Sequence, residues 1–223
     1  MNIIVPGTAG WPTQLDDLES GTPQRLWVAG TGDLRLLALR AVAIVGARNA
    51  TPYGISMAGS LAAGMTAAGW LVVSGAAFGI DSAAHRGALA GGGATVALMA
   101  GGADVPVPLS HASLLARIAD QGLVVSEYPP GTAPRRHSFL ERNRLIAALT
   151  RATIVVEAGN RSGALNTADW ATTLGRPVLA VPGPAHSAAS RGTHGLIRRG
   201  DATLVQDIDD ILGALTDESL PLR

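Results

Sequence analysis

Six short runs of apolar residues recur between residues 42 and 181, and within each run the hydrophobic positions are continuous rather than alternating. The runs are 42–45, 71–73, 95–99, 123–125, 153–156 and 177–181. Continuous runs of this length are typical of β-strands buried on both faces, as in a parallel sheet that is covered by helices. The pattern therefore predicts six buried strands.

Segments with helix signals separate these runs. Thr51 is a good N-cap and Pro52 suits the first helical position, so one helix begins there and ends near Gly69. The other helices are predicted at about 80–90, 109–120, 139–150 and 162–174. Strands that alternate with helices at this spacing require right-handed crossovers. The predicted fold class is α/β, with a doubly wound, mostly parallel sheet and helices on both faces.

The two ends of the chain are less regular. Residues 1–40 read as a lead-in of short irregular structure packed on the core, with a short strand at 26–30. Beyond Pro182 the pattern predicts a loop, a short helix at 193–199, a short strand at 203–205 and a final helix from Asp207. Because there is no internal repeat and no linker, we expect residues 41–223 to form one globular unit.

Composition narrows the function classes. Hydrophobic residues make up 47% of the chain and charged residues only 15%, which favours a folded core over disorder. The absence of cysteine excludes disulfides and thiolate catalysis. Neither a signal peptide nor an 18-residue apolar stretch is present, so a cytoplasmic protein without a membrane span is expected. All seventeen basic residues are arginine, which excludes the usual P-loop and lysine Schiff-base chemistry.

Five of the seventeen arginines lie between Arg135 and Arg151, although the net charge of the chain is zero. Ser138 and Glu141 have capping-box spacing, which predicts a helix that begins at Phe139. The positive end of that helix would lie beside Arg135, Arg136 and His137. Taken together, these features predict an anion site, and phosphate is the obvious anion.

Small residues also follow nearly every predicted strand. Because the carboxyl ends of parallel strands meet at one edge of a sheet, their loops should line a common ligand site. Backbone amides in such loops can bind phosphate, with Arg48 and Arg161 close by. The fingerprint G-x-G-x-x-G is absent after the first strand, which argues against NAD. The loops are 46–49, 74–79, 100–103, 157–163 and Gly183.

Groupings that could carry catalysis are sparse. Asp81 and His85 are four residues apart on one helix, and we interpret them as a local polar contact rather than an acid/base pair. Glu127 and Glu157 both follow strands, and we expect them to orient Arg48, Arg135 or Arg161. The sequence therefore predicts a binding protein rather than an enzyme, without cofactor or metal.

These motifs together resemble the bacterial DNA-processing protein A family, also called DprA or Smf. The lead-in GWPTQLDDLESGTPQRLWVAG is also similar to that of the family, and the resemblance covers nearly the whole chain in order. The stretches that carry it are VAIVGARNATPYG (42–54), VVSGAAFGIDSAAHRGAL (72–89), SEYPPGTAPRRHSFLERNRLIAALT (126–150), VVEAGNRSGALNTADWA (155–171), GRPVLAVPG (175–183) and SRGTHGLIRRGDATLV (190–205).

The resemblance implies an extended Rossmann-like fold that binds single-stranded DNA in a positive pocket without sequence specificity. It further implies a homodimer that protects incoming strands in natural transformation and recombination and assists the loading of RecA. Arg48, Arg135, Arg136 and Arg161 would contact phosphates, and Phe139 would stack on a base. The predicted DNA-binding residues, of which Arg161 comes from the loop pattern alone, are Arg48, Ser74, Gly75, Gly79, Arg135, Arg136, Phe139, Arg142, Asn143, Arg144, Arg161, Ser162 and Gly163.

The sequence departs from the family pattern in three respects. Neither the N-terminal helical domain nor the winged-helix domain of many members is visible in it. His194 stands where the family usually has asparagine. The zero net charge predicts binding confined to one pocket. The alternatives are a nucleotide-processing enzyme similar to the phosphoribohydrolases, whose P-G-G-x-G-T motif is broken here at 157–163, and a structural module that binds a protein partner.

Overall fold

Seven parallel strands form the main part of one sheet in the computed structural model, which describes residues 1–216. Two further strands pair antiparallel at one edge, β1 with β2 and β2 with β6. The strands are β1 (Asn2–Ile4), β2 (Leu26–Gly30), β3 (Ala41–Val45), β4 (Leu71–Ser74), β5 (Thr95–Met99), β6 (Leu123–Ser126), β7 (Ala152–Val155), β8 (Val178–Ala180) and β9 (Thr203–Leu204).

The strand order explains where a ligand site can form. Along the sheet the order is β1-β2-β6-β5-β4-β3-β7-β8-β9. The chain therefore builds outward from β3 through β4, β5 and β6 on one side, and then crosses to β7 on the other side of β3. The carboxyl ends of β3 and β7 diverge into loops that leave in opposite directions. A crevice at such a switch point is the usual ligand site of a doubly wound sheet.

Helices cover both faces of the sheet, which confirms the predicted fold class. They are α1 (Leu34–Ala38), α2 (Pro52–Ala67), α3 (Ile80–Ala90), α4 (Ala112–Gln121), α5 (Ser138–Leu149), α6 (Gly163–Thr173), α7 (Arg191–Arg199) and α8 (Ile208–Thr216). Short 3-10 helices occur at Thr13–Gly21, Leu109–His111 and Ala188–Ser190. No helix in the part of the chain that the structure describes is long and apolar enough to cross a membrane.

The sheet separates the core layers on its two faces, as the side chains of the central strand β3 show. Ala43 and Val45 point into one layer with α5, α6 and the lead-in, where Trp11 is buried. Val42 and Ile44 point into the other layer, which α2, α3 and α8 cover. Alternate side chains of one strand are thus buried on opposite faces, which is why the apolar run in the sequence is unbroken.

The structure corrects the prediction at several boundaries. The lead-in contributes β1, which the sequence analysis did not predict, and the 3-10 helix at Thr13–Gly21. The segment predicted as one helix from residue 109 begins as a 3-10 turn and becomes α-helical at Ala112. The predicted strand at 26–30 and the helix after Asp207 are confirmed. The Asp207 carboxylate accepts from the Asp210 amide at 3.0 Å, as expected of a residue at a helix start.

Candidate nucleic-acid interface

A cleft of about 800 Å³ opens at the switch point between β3 and β7. Residues 45–48, at the end of β3 and in the loop after it, form one wall. Residues 159–164, in the loop after β7 and the start of α6, form another, and α5 supplies most of the remaining surface. Eight of the predicted site residues line it together. They are Arg48, Arg136, Phe139, Arg142, Asn143, Arg161, Ser162 and Gly163.

Arg48 and Phe139 form a contact across the mouth of the cleft. The guanidinium carbon of Arg48 lies 4.6 Å from the centroid of the Phe139 ring, within the range of a cation–π interaction. Arg48 is exposed and Phe139 is half-buried. The contact therefore holds a positive charge and an aromatic ring side by side where both can reach a ligand.

The start of α6 is fixed by side chains that lie in the cleft wall. The Ser162 hydroxyl accepts from the Ala164 amide at 3.3 Å and caps the helix. Asn143 on α5 donates to the Gly163 carbonyl at 3.1 Å and to Asn166 Oδ1 at 3.2 Å. Asn143 is only 7% exposed, so its amide positions α6 instead of reaching outward to a base.

Arg142 forms part of the cleft floor, but its bonds point inward. Its side chain is 4% exposed and donates to the Leu98 carbonyl, while Nε has no partner. Burial lowers the pKa of Arg142 to about 10, and the nearby Asp81 carboxylate opposes that shift. A Cβ at Gly75 would overlap the guanidinium, so a larger residue there would force the Arg142 side chain to move. Arg142 is therefore an internal cation beneath the cleft.

Asp81, at the start of α3, is the buried carboxyl group near this cation. Burial raises the pKa of Asp81, and Arg142 opposes that shift. The carboxylate accepts from the Ala77 amide at 3.4 Å and so holds the loop after β4. The sequence pattern alone predicts for Asp81 only a contact with His85. Its position in the first turn of a helix that follows a strand end was the signal for this second role.

Five of the predicted residues lie outside the cleft lining, and three of them, Ser74, Gly75 and Gly79, lie at the end of β4 and in the loop after it. Ser74 is buried and its hydroxyl donates to the Ile44 carbonyl at 2.7 Å. Gly79 has a φ of 75°, and a Cβ there would strike the carbonyl oxygens of Ala47 and Arg48. Gly79 thus shapes the loop that carries Arg48. The Ser74 hydroxyl bonds within the protein, and Gly75 leaves room for the Arg142 guanidinium, so both residues have structural roles.

Arg135 and Arg144 are also placed apart from the cleft. Arg135 is exposed, but it is not among the lining residues. Arg144 binds both carboxylate oxygens of Glu127 at 2.7 Å and donates to the Gly21 carbonyl at 3.0 Å. Arg144 is therefore committed to an ion pair within the protein.

Comparisons with a family model and with known proteins identify the family of this chain. The sequence matches the model of the DNA recombination-mediator protein A family over residues 2–216. The chain belongs to this family. Its sequence is 51% identical over 220 residues to a DNA processing protein DprA of Mycobacterium tuberculosis, covering 94% of this chain and 56% of the relative. The chain thus spans about half the length of this relative.

Two solved structures of the DprA family share the fold. The structure of DprA from Streptococcus pneumoniae superposes with a TM-score of 0.89 at 38% identity, covering 95% of this chain and 73% of the other. The structure of DNA processing protein A from Helicobacter pylori superposes with a TM-score of 0.84 at 29% identity, covering 96% of both chains. The extended Rossmann-like fold expected from the resemblance is confirmed.

The local bonding predicted around α5 in this DprA-family chain is wrong in two respects. Ser138 and Glu141 form no capping box. The Ser138 hydroxyl donates to the Arg135 carbonyl at 2.7 Å and accepts from the Arg135 amide at 3.0 Å, which closes a tight turn before the helix. Glu141 instead accepts from the Tyr128 hydroxyl at 2.7 Å. Because this turn leads directly into α5, the helix begins at Ser138.

The partners predicted for the two glutamates are also different. Glu127 pairs with Arg144, as described above. Glu157 is fully buried and accepts from the Thr51 amide at 2.9 Å and the Thr51 hydroxyl at 2.6 Å. It therefore joins the end of β7 to the start of α2. Neither glutamate is bonded to Arg48, Arg135 or Arg161.

The predicted contact between Asp81 and His85 is replaced by a different pair. His85 is fully buried, and its Nδ1 lies 2.8 Å from Thr95 Oγ1. Thr95 Oγ1 donates to the Val72 carbonyl at 2.6 Å, so His85 Nδ1 must be the donor of the first bond. Burial lowers the pKa of His85 to about 3, with further lowering from Arg142, His111 and Arg86.

A pH dependence of stability follows from this buried histidine. The folded-state pKa of His85 is lower than its ordinary value of 6.5, so the unfolded chain binds a proton first as the pH falls. His85 thus stabilises the fold above pH 6.5, and this contribution is lost as the pH falls towards 3, by up to about 1.4 kcal/mol per pH unit. We expect His85→Gln to flatten the dependence, as measured by urea unfolding between these pH values. An unchanged slope in the variant would contradict the assignment.

Proposed function

We propose that this chain binds single-stranded DNA in the switch-point cleft without sequence preference. The observation that carries the proposal is the combination of three exposed arginines, Arg48, Arg136 and Arg161, with the half-buried ring of Phe139 in one cleft. Arginine guanidinium groups bind phosphates by charge-assisted hydrogen bonds, and an aromatic ring stacks on any base. The solved Helicobacter pylori relative, described for its single-stranded DNA binding mode, supports the proposal.

The arrangement favours binding that does not depend on sequence. The polar groups that could read a base edge are largely occupied inside the protein, since the Asn143 amide already bonds to Gly163 and Asn166. The arginines contact phosphates, which are the same for every sequence. The amides at the start of α6 add positive potential near Arg161. Affinity is therefore expected to come from phosphate contacts and stacking.

We propose that, in the cell, this binding protects incoming DNA strands and assists the loading of RecA in natural transformation and recombination. The description of the family as a recombination mediator supports this role. We further propose a cytoplasmic homodimer without catalytic activity. The chain spans about half the length of several curated relatives that it matches. The assays below therefore measure these roles with this chain itself.

Competition tests the proposed ligand class. Labelled oligo-dT bound to the protein is challenged with unlabelled oligo-dA, oligo-dC, duplex DNA or nucleoside monophosphates. The single strands should displace the label at similar concentrations, and duplex should be much weaker because its bases are not free to stack. Equal competition by duplex would contradict the proposal. Release of a free base from a monophosphate would instead favour the alternative of a nucleotide-processing enzyme.

A second assay tests the proposed role with RecA. The rate of RecA filament formation on an oligonucleotide is measured with and without this chain. A faster rate is expected for the wild type, and this gain should be lost in a variant that does not bind DNA. No effect of the wild type would reject RecA loading by this part of the protein and would leave the DNA-binding proposal intact.

A further inference from the structure

A second cavity, of about 690 Å³, lies beside the cleft on the other side of Leu140. Its apolar surface comes from Tyr128, Leu140 and Trp170, which belong to three separate segments of the chain. Leu140 is 50% exposed, and Trp170 is half-buried with one part packed on the core. The cavity thus offers a tryptophan and a leucine to a ligand.

The charges around this cavity differ from those of the cleft. Arg144 is its only lining cation among the described residues, and both Glu127 carboxylate oxygens neutralise that guanidinium at 2.7 Å. Glu141 is exposed and adds a negative charge, held in place by the hydroxyl of Tyr128 at 2.7 Å. A phosphate would be repelled here, whereas an uncharged aromatic ring with polar edges would not.

The second cavity adjoins the cleft. Leu140 lines both. In addition, Asn143 lines the cleft and Asn166 lines the cavity, and a hydrogen bond of 3.2 Å joins these two side chains. The Asn166 oxygen is used in that bond, which leaves its amide nitrogen as a donor. A ligand that occupies the cleft can therefore extend past Leu140 into the cavity.

We propose that this cavity is a nucleobase subsite that takes one base of a strand whose phosphates lie in the cleft. The base packs against Trp170 and Leu140. Its polar edge meets the Glu141 carboxylate as acceptor and the Asn166 amide as donor, a combination that every base can satisfy in part. This inference rests on the proposed binding of single-stranded DNA, and it adds a second contact for bases beyond Phe139.

A comparison of normal and abasic oligonucleotides tests the subsite. Affinities are measured for oligo-dT and for an abasic oligonucleotide of the same length, with the wild type and with Trp170→Ala. Because stacking of a base on an aromatic side chain is worth on the order of tenfold in affinity, Trp170→Ala should weaken oligo-dT binding about tenfold and leave abasic binding unchanged. The matched control is Trp27→Ala, a half-buried tryptophan on β2 outside both cavities, which should change neither.

The possible results separate the two proposals. An equal loss of both affinities in Trp170→Ala would indicate a structural role for the tryptophan and overturn the subsite. No loss of either affinity would overturn it as well. If the wild type binds oligo-dT and Arg136→Ala weakens both oligonucleotides, the proposed function stands whatever Trp170→Ala does. If the wild type binds neither, both proposals fail.

A second measurement avoids truncating a side chain that packs on the core. The intrinsic tryptophan fluorescence of the wild type should be quenched by oligo-dT, because a base in the cavity contacts the indole. Trp170→Phe keeps an aromatic ring and should lose most of the quenching, whereas Trp27→Phe should retain it. Equal quenching in Trp170→Phe and the wild type would place the base elsewhere and contradict the subsite.

Discussion

Replacing Arg48 and Arg136 together by alanine is expected to lower the affinity for oligo-dT about 100-fold at low salt. Each arginine is exposed and lines the switch-point cleft, so each can bind one phosphate. A hydrogen bond to a charged group contributes roughly 1.5–3 kcal/mol, and about 1.4 kcal/mol corresponds to a factor of ten, so two lost contacts give at least this effect. The loss should be the same for oligo-dA, oligo-dC and oligo-dT, since phosphates carry no sequence information.

The salt dependence gives an independent check on the same double variant. Each phosphate contact to a single strand contributes about 0.7 to the slope of log affinity against log salt concentration, so the slope should become shallower by about 1.4. Arg35→Ala with Arg117→Ala is the matched control, because both arginines are exposed and lie outside the cleft on α1 and α4. A similar loss in the control would indicate diffuse electrostatic attraction and contradict a defined cleft.

The second large effect is on stability. Arg142→Met is expected to reduce the free energy of unfolding at neutral pH by about 2–3 kcal/mol, as is typical when a buried hydrogen bond of a charged group is lost. The substitution leaves the Asp81 carboxylate buried without its neighbouring cation, and it also removes the bond to the Leu98 carbonyl. Urea unfolding measures the change, and Arg144→Met, which breaks the partly exposed pair with Glu127, should cost less.

The pH dependence and a double variant identify the cause of the stability lost in Arg142→Met. Asp81 has a folded-state pKa above its ordinary value of 3.8. Its ionisation therefore destabilises the fold as the pH rises from 3.8 towards the folded-state pKa. Without Arg142 this pKa should rise further, and the stability lost in Arg142→Met should shrink as the pH falls. Adding Asp81→Asn should recover part of the loss at neutral pH, because no buried charge then remains unpaired. Strict additivity of the two substitutions would show that the groups do not interact.

Much of the fold could be predicted because buried parallel strands have an unusual pattern. The run at 95–99 matches β5, and the run at 123–125 falls one residue short of β6. Strand β1 could not be predicted. It has three residues, is largely exposed and pairs with β2 more than twenty residues later, so no local pattern marks it. Edge strands that depend on a distant partner carry a weak signal in the sequence.

The candidate site was predicted where topology alone decides the neighbours. Arg48 and Arg161 follow β3 and β7, and the carboxyl ends of adjacent parallel strands must lie together. The directions of the arginine side chains on α5 could not be predicted in this way. Arg142 and Arg144 are two residues apart and therefore point to different sides of the helix, one under the cleft and the other to Glu127. Which side of α5 faces the sheet is decided by tertiary packing, which no local sequence pattern specifies.

The second cavity could not have been found from the sequence. Its walls come from the loop after β6, from α5 and from α6, and no motif joins Tyr128, Leu140 and Trp170. Only the packing of these three segments against one another brings them together. Side chains that converge from separate elements without a shared polar motif leave no periodic or compositional signal.

Photo-crosslinking tests most directly whether DNA lies in the switch-point cleft. Oligo-dT with iodouracil at single positions is irradiated in complex with the wild-type chain, and the attached residue is identified by mass spectrometry. We expect attachment to Phe139, whose ring faces the cleft beside Arg48. Phe78, an exposed phenylalanine outside the cleft, is the internal control. Attachment at Phe139 that disappears in the Arg48→Ala, Arg136→Ala variant would support the cleft, whereas attachment at Phe78 with none at Phe139 would contradict it.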